Sequence, residues 1–401
     1  MDDAGETRQR PGHPLLSPLL WGAYLACSWT WCIGMFLPAL LVKDYGWLGA
    51  VVFAVPNILG AAAMGWVIAS PDASRRLAQR HEGAMVVFSA VTIAFHVFFL
   101  LWVLGMATRI SSVPTWGVGV VAGGALVVIA LMRLVRGGSD AALGGVSWLV
   151  WLISAGVLVM LLAFPAFTPS TERYFPYTAN TGGLLWLAPV CVFGFALCPY
   201  LDLTFHHARQ RTTSGRLAFG GGFLVLFPMM IGLTIVYAGP FIWLLIDDRG
   251  VPLAWAPWVG VVILTHIVAQ LVFTLIVHQD RIAASSLAAR GRTLTIVLAG
   301  GAALLGLLHT RIGSVGEYTA GEVVYRCFMA FYGLAFPAYV WLVMIPGRNA
   351  DAPGVFRRAV RVWAMSIGIA APMFWMGFIG GQELWLAPGL GVVLLARLLV
   401  R

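Results

Sequence analysis

Long apolar runs recur along the whole of this chain, each about as long as one crossing of a bilayer, with only short polar connectors between them. Inside hydrocarbon a backbone must satisfy its own hydrogen bonds, so about 20 mainly apolar residues in a row specify a membrane-spanning helix. On that criterion the sequence divides into about twelve spans, at roughly 16–42, 46–69, 83–107, 114–135, 142–164, 184–205, 217–239, 256–278, 293–309, 321–345, 357–378 and 384–400. Hydrophobic residues make up 60% of the chain and charged residues only 10%, against roughly 25% charged in soluble domains. A set of soluble domains is thereby excluded, and the expected class is an all-α polytopic membrane protein. Cys27, Cys32, Cys191, Cys198 and Cys327 lie in or beside apolar runs. They form no CxxC pair or disulfide framework, so no metal ligand set is read from them.

The basic residues are scattered through short loops, which argues against nucleic acid as a partner and makes them reporters of topology. With the N-terminus placed in the cytoplasm, the inner segments carry nineteen Arg, and the outer ones carry Lys43, Arg109, Arg173, Arg249 and Arg311. The expectation is a multi-pass protein of the plasma (cell inner) membrane with both termini cytoplasmic and the polar residues 1–15 retained.

A Gly–Pro interruption appears twice. Span one reads Cys32-Ile33-Gly34-Met35-Phe36-Leu37-Pro38, and span six reads Phe193-Gly194-Phe195-Ala196-Leu197-Cys198-Pro199. Each is followed by a span with a central proline, Pro56 and Pro228. Spans five apart cross in opposite directions, so the pairing predicts an inverted repeat. The first five-helix repeat is read at 16–164, an outer loop at 165–183, the second repeat at 184–345, and two further helices at 346–401. Gly and Pro are also common in membrane helices for packing reasons alone, which is the plainer reading of either pair taken singly.

Residues 32–67, CIGMFLPALLVKDYGWLGAVVFAVPNILGAAAMGWV, resemble the first two helices of the amino acid–polyamine–organocation superfamily, and residues 193–223, FGFALCPYLDLTFHHARQRTTSGRLAFGGGF, are similar to its sixth helix and the following loop. The resemblance implies a LeuT-type fold with discontinuous helices one and six, and alternating-access transport of an amino acid or amine. There are departures from the pattern. Only Gly34 remains of the superfamily's glycine turn. Thr265 stands beside His266 where sodium-coupled members carry two hydroxyls, and span five lacks the lysine of some proton-coupled members. Cys198-Pro199-Tyr200 echoes the Met-Pro-His stretch of the metal-ion (Nramp-like) branch, but span one has no Asp-Pro-Gly-Asn.

Broken helices free backbone groups that must meet a ligand, an ion or water. Half-helix N-termini suit anionic groups, and unwound carbonyls suit cations. The expected substrate-binding residues are therefore Trp29, Thr30, Trp31, Cys32, Ile33, Gly34 and Met35 with Phe193, Gly194, Phe195 and Ala196. Trp29, Trp31, Phe193 and Phe195 would offer apolar or cation-binding faces, unless they are plain core or lipid-facing aromatics. Intramembrane ionisable residues are costly and therefore informative. His96 lies in span three and His266 in span eight, and the resembled fold implies that they approach the site from two sides. Each suits proton coupling, or else sits neutral against a carbonyl or hydroxyl. Asp202 and His206, four apart, are read either as an inner gate or relay or as an interfacial capping pair. Asn57 is placed to meet a backbone group freed by Pro56, and Glu322 and Arg326 to form an i,i+4 pair reaching the surface.

Motifs of soluble enzymes such as a Walker loop, HExxH or GxSxG are absent from the sequence, so the expectation is a carrier rather than an enzyme. The leading reading is a secondary transporter of a small organic solute, with H+ or Na+ as coupling ion, no other cofactor and no obligate protein partner. The alternatives are a transporter-like sensor that binds without translocating, a metal-ion transporter, and a haem protein using His96 and His266.

Overall fold

The computed structural model describes residues 15–109, 115–163, 181–246, 257–316, 318–345 and 354–400, with side chains set aside at 106–109, 239–246 and 257–259. The expectations placed on residues 1–14, on most of the 165–183 loop, and on Arg173 and Arg249 lie outside the described residues. Among the described residues the structure is helical, apart from one isolated bridge between Val315 and Tyr318. Ten helices are long and apolar enough to cross a membrane, and the bent pair Leu16–Trp29 and Cys32–Tyr45 makes an eleventh crossing. The twelfth expected span, 384–400, is present but short. Helix Leu386–Ala396 is extended by single 3-10 turns at Glu383–Trp385 and Arg397–Leu399, and it ends where the Arg397 guanidinium turns to the carbonyls of Trp341 and Ile345.

The connector between spans eight and nine is shorter than the gap between the expected spans. Span eight runs on to Ala283 and span nine starts at Ala288, leaving a four-residue turn between them. A further helix, Pro71–Arg80, follows span two. Proline opens it and the Ser70 hydroxyl caps it by accepting from Ala73 N–H at 3.1 Å.

Neighbour relations recur five spans apart. The second half of span one packs on span seven as span six packs on span two. Span three packs on span nine as span eight packs on span four, and the first half of span one packs on span five as span six packs on span ten. Two glycines allow the tightest approaches at span six. A Cβ at Gly60 of span two would overlap the Phe195 carbonyl oxygen, and one at Gly194 would lie 2.7 Å from the Tyr332 carbonyl oxygen of span ten.

Candidate functional site

Span one is interrupted, but just before the Cys32–Pro38 stretch on which sequence reading placed the break. Helix Leu16–Trp29 stops, Thr30 (φ −77°, ψ 68°) and Trp31 (φ −79°, ψ 176°) leave helical geometry, and helix Cys32–Tyr45 resumes at an angle of 58°. Pro38 is not at the break but inside the second half-helix. Because proline has no N–H, Gly34 O loses its usual partner four residues on, and the Thr234 hydroxyl of span seven donates to it at 2.9 Å. The Tyr237 hydroxyl donates to Met35 O at 2.7 Å, and that of Tyr325 to Cys32 O at 3.2 Å. These carbonyls, expected to face a ligand, are therefore held by spans seven and ten. What the break leaves outside the helical ladder is the first turn of N–H groups on Cys32, Ile33 and Gly34. The first closing bond runs from Met35 N–H to Trp31 O at 2.9 Å.

The interruption of span six falls later than expected. Helix Leu184–Leu197 passes straight through Phe193, Gly194, Phe195 and Ala196. It gives way to a 3-10 turn at Cys198–Leu201 and an extended Asp202 before helix Leu203–Arg211. Pro199 opens the 3-10 turn, and Asp202 then restarts the α-helix by capping it. Its Oδ1 accepts from Thr204 N–H and Thr204 Oγ1, both at 2.7 Å.

The two breaks meet. Trp29, Trp31, Ile33 and Gly34 of span one share a small chamber of about 10 Å³ with Phe195 and Cys198 of span six, Asn57 of span two and Tyr332 of span ten. Trp31 is its aromatic hub, with ring centroids at 4.3 Å from Trp29, 5.4 Å from Phe88 and Tyr332, 5.7 Å from His278 and 6.2 Å from His96. Asn57 does not serve the kink at Pro56. Its Oδ1 accepts from Trp29 Nε1 at 2.6 Å, which fixes one wall of the chamber.

Other sequence-predicted residues fall outside this chamber. Phe193 is half-buried and faces Trp341, with ring centroids 6.4 Å apart. Ala196 lines an apolar groove with Tyr200, Leu77 and Met344. The expected Asp202–His206 pair is not formed, because Asp202 lies before the helix rather than in it and its side chain folds forward. His206 instead bonds Ser74 Oγ at 2.8 Å and Tyr200 O at 3.0 Å. Thr265 bonds its own helix at Val261 O, 2.8 Å away. His266 bonds Ser154 Oγ of span five at 2.7 Å, and its ring lies 6.0 Å from Tyr237. His96 does reach the hub, with Nδ1 2.7 Å from Thr92 O.

Tyr332 and Phe195 also floor a second cavity, of about 60 Å³, between spans one, six and ten. Asp44, Tyr45 and Arg326 line it as well. Here Glu322 and Arg326 form the expected i,i+4 pair, but within a network in which Glu322 is buried and Arg326 half-buried. Arg326 reaches Asp44 at 2.5 Å and Glu322 at 2.8 Å, Lys43 reaches Glu322 at 3.3 Å, and the guanidinium stacks 4.0 Å from the Tyr318 ring centre. Sequence reading missed Asp44 as a partner because only the fold brings spans one and ten together. At the other end, Arg209 of the 203–211 helix donates to Ile68 O at 2.7 Å and Ala69 O at 2.6 Å. Ion pairs thus hold spans one and ten together beside the second cavity, and hydrogen bonds to carbonyls hold the 203–211 helix to the end of span two.

No family model and no curated protein sequence matches this chain. Among solved structures it is similar to a crystal structure of the Eremococcus coleocola manganese transporter in complex with an aromatic bis-isothiourea substituted compound. The two share 13% identity and a TM-score of 0.50, over 100% of this chain and 97% of that one. At that identity the likeness speaks to fold alone: an all-α polytopic chain with the fold of a membrane transporter.

Proposed function

We propose that this protein is a secondary active transporter that moves a small organic solute by alternating access, with the solute held between the broken spans one and six. The observation that carries the proposal is the meeting of two helix breaks in one chamber. The recurrence of neighbour relations five spans apart supports an inverted repeat, the architecture on which such rocking depends. The N–H groups of Cys32, Ile33 and Gly34, outside the helical ladder, suit a carboxylate, and the faces of Trp29 and Trp31 suit an ammonium group. An amino acid or related amine has both. In this reading Trp29, Trp31, Phe195 and Asn57 shape the pocket, and His96 stands behind it.

A divalent metal ion is the second reading, favoured by the fold likeness to a manganese transporter and by the Cys198-Pro199 stretch of the break. The donor chemistry at the chamber weighs against it. The chamber walls are aromatic and aliphatic, with Cys198 and Asn57 the polar side chains of the lining beyond the Trp and Tyr groups. Among the described residues no three of His, Cys, Asp or Glu are grouped to hold a metal.

Counterflow in liposomes with labelled amino acids and amines, run beside manganese uptake, separates the two. The expected outcome is saturable exchange of at least one organic solute, abolished by Trp31→Ala, with no manganese uptake above empty vesicles. Manganese uptake without organic exchange would replace the first reading by the second.

A further inference from the structure

Span eight carries a feature that solute binding does not use. His266, Gln270, Thr274 and His278 follow one another at four-residue intervals, and all are buried, at 0%, 0%, 1% and 0% exposure. Four residues are about 6 Å of α-helix, so the series covers about 18 Å of a hydrocarbon core about 30 Å thick. Neighbouring spans add polar groups. Ser154 Oγ of span five lies 2.7 Å from His266 Nδ1 and accepts from Gln270 Nε2 at 3.0 Å. Ser89 Oγ of span three is 3.1 Å from His278 Nδ1. On each of the four residues one polar atom has no hydrogen-bond partner in the protein: His266 Nε2, Gln270 Oε1, Thr274 Oγ1 and His278 Nε2. His96 Nε2, across Trp31 from His278, is a fifth. An unpaired buried polar atom costs about 1–3 kcal/mol. Five gathered along two adjacent helices are too many to be packing accidents.

The geometry points to a proton track along span eight, a file of water molecules held by these atoms and running past the back of Trp31. The rungs stand about 6 Å apart along the helix axis, within the reach of one bridging water admitted between them. Each histidine takes up a proton on one ring nitrogen and releases one from the other. The Thr274 hydroxyl accepts and donates in the same way, and the Gln270 carbonyl orients the file. No bond is gained or lost overall. Other titratable groups face span eight from several sides. They are Tyr24 and Cys27 of span one, His96 of span three, Tyr237 of span seven, and His207 of the 203–211 helix, which is 2.9 Å from Arg281. Arg136, just past span four, pairs with Asp280 at 2.8 Å, at the end beyond His278. Span five presents the hydroxyls of Ser147 and Ser154, and Arg290 and Arg292 of span nine are exposed. The track rests on the carrier reading only for what the protons drive.

The test uses the full chain in vesicles of phosphatidylethanolamine and phosphatidylglycerol enclosing pyranine, with valinomycin and an outward potassium gradient. No solute is added. Lumenal acidification should exceed that of protein-free vesicles at least threefold. Gln270→Leu and Thr274→Val should each remove most of the excess, Thr274→Ser should keep it, and Ser366→Ala in span eleven should leave it unchanged. Acidification no faster than in empty vesicles, or equal rates in Thr274→Val and Thr274→Ser, overturns the track. Proton entry that follows these variants in a protein without organic counterflow would retain the track and reject the carrier. Counterflow with proton entry indifferent to them would do the reverse.

Discussion

The breaks in spans one and six meet in one chamber but are held in different ways. Around the first, the carbonyls of Cys32, Gly34 and Met35 are bonded by Tyr325, Thr234 and Tyr237 on spans ten and seven. The far end of the same half-helix is tied through Asp44 to Arg326 of span ten. The second break closes on itself, with Asp202 capping the helix that follows it. That helix is then tied to the end of span two and to helix Pro71–Arg80 through Arg209, His206 and Gln210. The second half of span one is therefore built into a frame made by other spans, and the 203–211 helix is joined by these bonds to helix Pro71–Arg80 as a peripheral unit that also packs on spans one and eight. With no ion pair among the described residues as closely held as that of Arg326, the 203–211 segment should be the cheaper of the two to displace.

The largest effect should come from the frame. Arg326→Ala leaves the buried Glu322 and the half-buried Asp44 beside Lys43 alone, and losing one member of a largely buried ionic network costs up to about 3–5 kcal/mol. Thermal unfolding of the purified protein should show a fall in Tm that no variant of the 203–211 helix matches; an equal fall for Arg209→Ala would dissolve the contrast. Next, Thr234→Val with Tyr237→Phe strips the donors from Gly34 O and Met35 O, at about 1–3 kcal/mol for each acceptor left unpaired. A double variant as stable as the parent would mean that these carbonyls find other partners and that span one is not framed as described.

A smaller loss is expected at the second break. Asp202→Ala removes an N-cap, a change of about 0.5–2 kcal/mol, whereas Asp202→Asn keeps an acceptor oxygen and should be close to neutral. Equal losses in the two would assign the role to the carboxylate charge instead of the cap. This prediction also marks how far the sequence could be read. The crossings were legible because hydrocarbon imposes a length and a composition on every one of them. The first break was legible as a region, yet its proline proved to be inside the second half-helix, where Thr234 supplies the missing bond. The second lies at Cys198–Asp202, past the Gly194 that drew attention to it, because Gly194 serves the contact with Tyr332 and Pro199 opens the turn. Partners contributed by distant spans left no local trace. Asn57 under Trp29, Asp44 beside Arg326, and Ser154 between His266 and Gln270 are pairings that only the packing creates.

The weakest lever sits under the peripheral unit. His81, in the turn that joins helix Pro71–Arg80 to span three, is buried with Nδ1 3.2 Å from the Tyr339 hydroxyl of span ten. Burial, reinforced by the charge of Arg80, pushes its imidazole down from 6.5 to about 4. The unfolded chain takes up a proton on this histidine below about 6.5, while the folded chain resists until near 4. Stability from the neutral ring is therefore complete above 6.5, declines as pH falls toward 4, and is lost below that. His81→Gln cannot titrate, so its drop in Tm between pH 7 and pH 4.5 should be smaller than that of the parent, with all other groups cancelling in the difference. The change should carry over to the peripheral unit. If the unit is the looser part, acid should raise proteolytic nicking or hydrogen exchange at 70–80 and 203–214 in the parent before it does so in the second half of span one, and His81→Gln should delay it. Simultaneous loosening of both regions would show that the two breaks share one rigid body, and the asymmetry drawn between them would not hold.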